Sequence, residues 1–568
     1  MTVPTIAEIT AELTGPGTPL ELETRMIRGV ATRCWKNLPN TVPELLQACA
    51  AYVDRDYIVY EGERYTYREA FARAQTLAAH LQQVCGVQKG DRVALAMRNL
   101  PEWIISFWAS LSIGAIIVPL NAWWKGRELA YGISDSGSRV FLCDEERAEL
   151  IEAHRHELQL THVLVARAGT NGATRANRPL HETERSLDDV LQTTGTTPTP
   201  VDIDPEDDAT IFYTSGTTGN PKGALGTHRN LCANIGSTLF VRARAVARKN
   251  GETLPPPPQA AGLLSVPLFH VTGCHSGLVA GSFIGNKIVL MRKWNPEVAL
   301  ELIERERITQ FGGVPSMVWQ VLTSPEFGSR DTSSVLAISY GGAPAAPELL
   351  RRIKEAFPNR SAGNGYGLTE TSALTTSNTG VDYERKPDSV GVPVATCEIK
   401  VVDPEGNELP LSGVGELWIK GPNVVKGYWG KPEATEKAFS DGYLHTGDIA
   451  RIDEEGFVYI LDRAKDMLIR GGENVYCVEV EDVLYSHPAV MDAAVVGVAH
   501  VILGEEVGAV VQLAPGTDVT VDELRGYAAE RLAGFKVPKH IELRAEPLPR
   551  NANGKILKRE LRRELGWV

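Results

Sequence analysis

Alternating helical and strand-like runs predict a layered α/β protein built on largely parallel sheet. A change of texture after Asp448 predicts a second, smaller α/β unit behind it. The chain has 568 residues, more than one core organises, so two or more domains follow from length as well. The alternation begins with helical periodicity from Tyr67 to Gln83, an apolar strand from Arg92 to Met97, a helix from Ile104 to Ile113 and a strand from Ala115 to Leu120. Read without a break, Ile104 to Leu120 is apolar enough to suggest a membrane span. It is shorter than the ~20 residues a bilayer needs and is interrupted by Gly114 and Pro119, so it reads as a buried helix running into a buried strand. Ala166 to Asp208, rich in Thr, Pro, Gly and Asp, reads as surface connection, and Pro255 to Pro258 beside Arg242 to Lys249 as an exposed loop. Beyond Asp448 come short strands (Phe457 to Leu461, Ala493 to Val498, Val507 to Leu513) and helices (Val478 to Tyr485, Val521 to Leu532), entered through the charged link Asp462 to Asp466. No internal repeat is visible.

A net charge of −13 and a pI near 5.5 argue against a nucleic-acid binder, which needs a basic face for phosphate. From Arg531 onward the balance reverses, with ten Arg and Lys residues against Glu542, Glu546, Glu560 and Glu564. That island suits a polyanionic small molecule, although Arg559 to Arg563 reads more simply as a solvated helix end. The eight cysteines (Cys34, Cys49, Cys85, Cys143, Cys232, Cys274, Cys397, Cys477) form no CxxC and no zinc spacing, and read as reduced thiols of a cytoplasmic protein. Met1 to Leu20 carries Glu8 and Glu12 and lacks the basic-then-apolar order of a signal peptide.

The most informative segment runs from Tyr213 through Thr214, Ser215, Gly216, Thr217, Thr218, Gly219, Asn220, Pro221 and Lys222 to Gly223. An apolar strand delivers hydroxyls and unencumbered backbone N–H groups, which is the chemistry of holding phosphates. A Walker loop is excluded, because Pro221 and Gly223 flank Lys222 where a Gly, a Ser or Thr and a helix start are required. On its composition alone the segment reads equally as a flexible polar turn.

The full string resembles the signature of the adenylate-forming superfamily of acyl-CoA synthetases, luciferase and peptide-synthetase adenylation domains. Further segments match in family order: Pro267 to His270, Gly341 to Pro344, Tyr366 to Thr371, Gly415 to Leu417, Tyr443 to Asp448, Asp462 to Asp466, Gly471 to Asn474 and Asn553 to Lys555. Upstream, Gly90 to Ala94 and Pro119 to Asn121 are similar too, so the resemblance covers most of the chain. It implies a large N-terminal domain (residues 1–464) of two packed sheet layers plus a small β-barrel, and a small mobile C-terminal domain (residues 465–568).

The resemblance also implies an AMP-forming acid–thiol ligase that uses ATP, Mg2+ and coenzyme A. Thr214, Ser215, Gly216, Thr217, Thr218 and Lys222 would cradle the pyrophosphate end, and Glu370, with Thr218, would hold magnesium, as a hard cation bridging phosphates requires oxygen donors. Tyr366 would stack on adenine. Gly341, Gly342, Ala343 and Pro344, with Asn364, Gly365, Gly367 and Thr369, would lie close to the nucleotide, while Asp448 and Arg463 would contact the ribose. Lys555 would reach the α-phosphate and the acyl carboxylate, although a Lys after Asn-Gly in a basic tail reads equally as a solvated turn neighbour. His270 would wall or gate the acid pocket, competing with a plain core histidine, and Gly471 and Gly472 would line a pantetheine channel. Because Lys555 and that glycine pair serve different steps, the C-terminal domain would rotate, pivoting near Lys465, where the family often has Asp. Cys477 stands where relatives often carry Pro and is assigned no chemistry.

At positions that resemble the family's acyl-pocket wall, small residues (Gly341, Gly365, Ser372, Ala373, with Val271 and Thr272) leave room and no formal charge, although glycine, Gly341 above all, also reads as present only for backbone approach to adenine. Such walls point to a hydrophobic monocarboxylic acid, fatty or bulky aryl or alicyclic, as in fatty acid metabolism. An amino-acid adenylation domain would present an Asp near His270, where Val271 and Thr272 stand. A stand-alone adenylating enzyme with another acyl acceptor, a luciferase-like oxygenase and a non-catalytic sensor are the alternatives. The partners implied are the small acid, ATP and CoA, with no nucleic acid and no transmembrane segment; the oligomeric state is left open, a dimer included.

Overall fold

The computed structural model describes residues 4–168, 181–193, 195–214, 220–249, 257–341, 347–514, 516–551 and 554–567. Four sheets organise it, besides a two-stranded ribbon near the N-terminus. The first has eight strands, in the order Gly427–Tyr428, Gly223–Thr227, Asp208–Tyr213, Ile116–Pro119, Arg92–Ala96, Val140–Asp144, His162–Ala166 and Glu184–Ser186. From Asp208–Tyr213 onward neighbouring strands in this sheet run parallel. The second has nine strands, with a parallel centre from Ser361–Tyr366 through Ala337–Gly341, Gln310–Gly313, Ala261–Leu264 and Lys287–Leu290 to Asp56–Tyr60, and antiparallel strands on both flanks.

One apolar core draws on both sheets, with Val93, Leu95 and Ile117 from the first and Ile58, Leu264 and Ile288 from the second. Helix Pro101–Ser112 belongs to it. Pro101 starts this helix at a position where a missing N–H costs nothing, and every residue through Leu111 is buried, so it is apolar all round rather than amphipathic. The suspected membrane segment is thus a central core helix running into the buried strand Ile116–Pro119. Among the described residues no helix is long and apolar enough to cross a membrane.

The third sheet, where a small barrel is expected, consists of five antiparallel strands: Glu398–Val402, Gly415–Lys420, Phe439–Ser440, Tyr443–Ile452 and Val458–Arg463. The fourth holds Leu468–Arg470, Glu473–Val475, Val490–His500, Gly504–Leu513 and His540–Arg544, with helices Cys477–Tyr485 and Val521–Ala529 packed on it. The tail returns to the same sheet: Leu548 and Leu561 bury against Ala494 and Val510, Arg550 pairs with Asp492, and Lys558 pairs with Glu481 at 2.6 Å.

Two expectations need correction. Ala166 to Asp208 is not only surface connection: among its described residues are strand Glu184–Ser186 and helix Leu187–Gln192, whose Leu187, Val190 and Leu191 are buried. The basic tail is not an open cationic island either. Lys536, Arg550, Lys558 and Arg562 pair with Glu479, Asp492, Glu481 and Glu505 from elsewhere in the unit, and Arg544 with Glu564 of the tail itself, so at least half of the ten cations are paired. Arg242 to Lys249 lies in and at the end of the long helix His228–Arg248; residues 255 and 256 of the proline run fall outside the described residues.

Candidate active site

Strand Asp208–Tyr213 leaves the first sheet at Tyr213, and strand Gly223–Thr227 returns antiparallel beside it, with Tyr213 opposite Gly223. The Thr214 N–H donates to the Lys222 carbonyl at 2.8 Å and closes the neck of the loop. The segment is therefore slung between two strands, and the helix His228–Arg248 begins only after the second, with a Thr227–Asn230 capping box. A Walker loop would start its helix directly. Ser215, Gly216, Thr217, Thr218 and Gly219 lie outside the described residues, as do Gly342, Ala343 and Pro344. Lys222 places its ammonium 4.7 Å from the centre of the Tyr428 ring, and the Tyr428 hydroxyl donates to Glu370 Oε1 at 2.7 Å. Sheet pairing between Gly427–Tyr428 and Gly223–Thr227 thus brings the phosphate-loop lysine and the motif carboxylate to one ring.

Tyr366, Asp448 and Arg463 form one cluster. The Tyr366 hydroxyl donates to Asp448 Oδ2 at 2.6 Å, and Arg463 Nε lies 2.8 Å from Oδ1. Asp448 and Arg463 face each other across paired strands, and Asp448 is only 2% exposed. Each oxygen keeps acceptor capacity beyond its protein partner, so the carboxylate can still take a ligand hydroxyl. Burial and the neighbouring Asp448 hold the Tyr366 phenol well above its usual range, so it stays a donor.

Lys555 belongs to the second unit but is charged against the first. Burial pulls its ammonium down to about 8, with Arg463 and Lys465 adding repulsion and Asp466 and Asp448 opposing it. Its loop is seated on the large unit: a Cβ on Gly554 would lie 2.8 Å from Val314. Gly471 and Gly472 do the opposite. Their φ angles of 60° and 90° make the two-residue turn of hairpin Leu468–Val475, for which Gly-Gly is suited, and a Cβ on Gly472 would meet nothing within 4 Å. Lys465 is exposed in the connection between the units.

His270 ends the segment before a π-helix, Thr272–Val279, and its Nδ1 accepts from the Thr272 N–H at 3.3 Å. Burial lowers its pKa to about 4, so at neutral pH it is an uncharged ring. Asn364 and Gly365 lie on strand Ser361–Tyr366, and Thr369 opens the short helical turn that carries Glu370.

Several small residues owe their size to the backbone and not to pocket room. A Cβ on Gly341 would stand 2.3 Å from the Gly365 carbonyl, and one on Gly367 1.4 Å from the Ala373 carbonyl. Ser372 and Ala373 are 1% and 6% exposed, with φ of 49° and 92°, and do not open onto a cavity wall. Residues that carried no motif signal include Tyr428, Asn423, Asn234 and His275. Asn423 Nδ2 donates to the Thr371 carbonyl at 3.0 Å, a link over fifty residues of sequence that no local pattern announces.

Lys222 and Glu370 thus meet at the Tyr428 ring, and Tyr366, Asp448 and Arg463 form one polar cluster across two sheets. Known proteins identify the class. The model for AMP-binding enzymes matches residues 45–429, and the one for the C-terminal domain of AMP-binding enzymes matches residues 479–555. A feruloyl-CoA synthase of an Amycolatopsis species is 35% identical over 505 residues, covering 89% of this chain and 95% of that protein. A long-chain-fatty-acid–CoA ligase of Bacillus subtilis is 35% identical over 551 residues, covering 93% and 95%. Among solved structures, the anthranilate CoA ligase AuaEII in complex with anthranoyl-AMP superposes with a TM-score of 0.82 at 27% identity, covering 93% of this chain and 98% of that one. The chain belongs to the AMP-binding enzyme family, among its acid–thiol ligases of the acyl-CoA synthetase type.

Proposed function

We propose that this protein converts a hydrophobic monocarboxylic acid to its CoA thioester in two steps at one site. In the first, an oxygen of the acid attacks the α-phosphorus of ATP and pyrophosphate leaves. In the second, the CoA sulfur attacks the acyl carbon, its proton is lost and AMP leaves. Neither step uses a side-chain nucleophile, so the protein positions and neutralises. The observation that supports this reading is the seating of the Lys555 loop on Val314 of the large unit, with the Lys555 ammonium buried and within electrostatic reach of Arg463 and Asp448, where a cation would help two anions to meet.

In this reading Thr214 to Lys222 hold the leaving pyrophosphate, Tyr366 and Gly341 to Pro344 bound the adenine, and Asp448 with Arg463 takes the ribose. Magnesium fits the residues present: Glu370 offers a carboxylate, Thr218 would add a hydroxyl, and phosphate oxygens supply the rest, a hard oxygen set. Bound there, the ion offsets charge on the phosphates, while Tyr428 keeps the carboxylate oriented. A second unit with Lys555 seated and Gly472 in open space would suit the first step. A rotation about Lys465, dividing residues 1–464 from 465–568, would bring the glycine hairpin to the site for the second.

The acid is assigned to the hydrophobic class because the partly exposed side chains about the π-helix, Thr272 and Ser276 with a neutral His270, carry no charge, and because relatives are named for feruloyl and long-chain fatty acyl groups. AMP formation with acetate, octanoate, palmitate, phenylpropanoate and phenylalanine, with and without CoA, tests it. A preference for acetate or phenylalanine overturns the substrate class, and AMP release that ignores CoA overturns the acceptor.

A further inference from the structure

Two consecutive residues with side chains hold positive φ two and three residues after the motif carboxylate Glu370: Ser372 at 49° and Ala373 at 92°. Such angles are costly wherever a Cβ is present and persist only when the surroundings impose them. Here the surroundings are polar side chains from distant elements. The Ser372 carbonyl accepts from Asn234 Nδ2 at 2.5 Å and pairs with His275 Nδ1 at 3.1 Å. The Leu374 N–H donates to Asn234 Oδ1 at 3.1 Å, and Asn423 Nδ2 reaches the carbonyls of Thr371 and Leu374 at 3.0 and 3.3 Å. Asn234 is 0% exposed and His275 1%, so neither is a chance surface contact.

The acceptor is a carbonyl, so His275 carries its proton on Nδ1. The ring also stands edge-on to Phe212, with centroids 5.1 Å apart and planes at 87°. Phe212 is in the strand that feeds the phosphate loop, His275 in the π-helix behind His270, and Ser372 two residues beyond Glu370. Asn234 extends from the helix that follows the loop's return strand. The turn is therefore gripped on its C-terminal side by elements that build the phosphate and acid ends of the site. On its other side, the Glu370 carbonyl accepts from the Val425 N–H at 3.0 Å and its carboxylate from Tyr428.

Resting on the function proposed above, we infer that His275 and Asn234 are positioning residues: by holding the Ser372 carbonyl they lock the left-handed turn that fixes the Glu370 carboxylate for metal-bound ATP. Neither touches substrate.

The test is pyrophosphate exchange by the full chain, with magnesium-ATP and a hydrophobic acid varied separately. His275→Phe keeps a ring beside Phe212 but loses the donor. It is expected to lower kcat about tenfold or more, since a small misplacement is felt strongly in catalysis, and to raise KM for magnesium-ATP while the acid KM stays within about twofold. His275→Asn puts an amide N–H where Nδ1–H was and recovers most of the loss. Ala373→Gly added to His275→Phe recovers part, because glycine takes φ near 90° without help. Should His275→Phe fail to fold, Asn234→Leu, with the same branching and heavy-atom count but no polar group, has to show the same split between the two KM values. Unchanged magnesium-ATP kinetics, a change confined to the acid KM, or recovery by neither His275→Asn nor Ala373→Gly overturns the inference. Absence of exchange in the wild type would instead overturn the proposed function.

Discussion

Removing the Lys555 ammonium should separate the two half-reactions. On the proposed function its buried ammonium, within electrostatic reach of Arg463 and Asp448, is a charge delivered to the adenylation step, and a lost charge-stabilising donor in a dry site lowers kcat by about 10² to 10³, near 3–4 kcal/mol. Lys555→Ala is therefore expected to lose adenylation on that scale, while thioester formation from pre-made acyl adenylate proceeds close to the wild-type rate. The ammonium also gives the reaction an alkaline limit. With a pKa of about 8 in the free enzyme, lowered first by burial and then by Arg463, it is charged below pH 8 and neutral above. The value of kcat/KM for adenylation should thus be level up to about pH 7.5 and fall roughly tenfold by about pH 9, since kcat/KM follows the free enzyme. Bound ATP favours the charged form, so the fall in kcat itself comes at higher pH. The assay is pyrophosphate exchange from pH 6.5 to 9.5, beside thioester formation from synthetic adenylate. The reasoning is refuted by equal loss of both half-reactions, or by an alkaline fall that survives undiminished in the residual activity of Lys555→Ala.

Lys465→Pro fixes φ in the connection between the units and should obstruct rotation, sparing pyrophosphate exchange more than CoA consumption; wild-type rates in both assays remove Lys465 as the pivot. Gly367→Ala sets a Cβ 1.4 Å from the Ala373 carbonyl, so it should abolish exchange and lower the unfolding midpoint, and a well-folded, active variant would show that the turn is less tightly closed than described. Burial holds the folded-state pKa of His275 at about 4, below the ~6.5 of an unfolded chain, which therefore takes up protons first as pH falls. This stability is present above pH 6.5 and lost towards pH 4, so between pH 7 and 5 the wild type should lose about 2 kcal/mol more than His275→Asn in denaturant titrations. Parallel profiles for the two would sink that assignment.

Where periodicity was long the sequence was an accurate guide, because apolar spacing and burial are the same fact seen twice. Helix Tyr67–Gln83 begins and ends where its pattern does, and Thr66 and Glu69 close its capping box. Leu187, Val190 and Leu191 also have helical spacing, but the Thr and Pro around them masked a helix of only six residues. The cluster of Tyr366, Asp448 and Arg463 was legible only as motif positions; strand pairing sets Asp448 opposite Arg463, and Tyr366 reaches Asp448 from the second sheet. Ser372 and Ala373 were misread as room for substrate, since a small side chain that permits a strained turn looks the same in sequence as one that clears space. Asn234 and His275 left no mark at all, because their partner is a main-chain carbonyl about a hundred or more residues away.

On the proposed function, the tail's attachment would govern the timing of the reaction. Leu548 and Leu561 are buried against the sheet that also carries the glycine hairpin, and Lys558 is paired to Glu481 on that sheet's helix. Lys555 and Gly471–Gly472 are thus fastened to one rigid carriage, and on the proposed function a movement that brings one to the reacting atoms withdraws the other. Such a turnstile admits the thiol only after the lysine has left. Raising the CoA concentration cannot hurry adenylation, and a crosslink that pins the carriage to Val314 should leave the acyl adenylate formed and stranded.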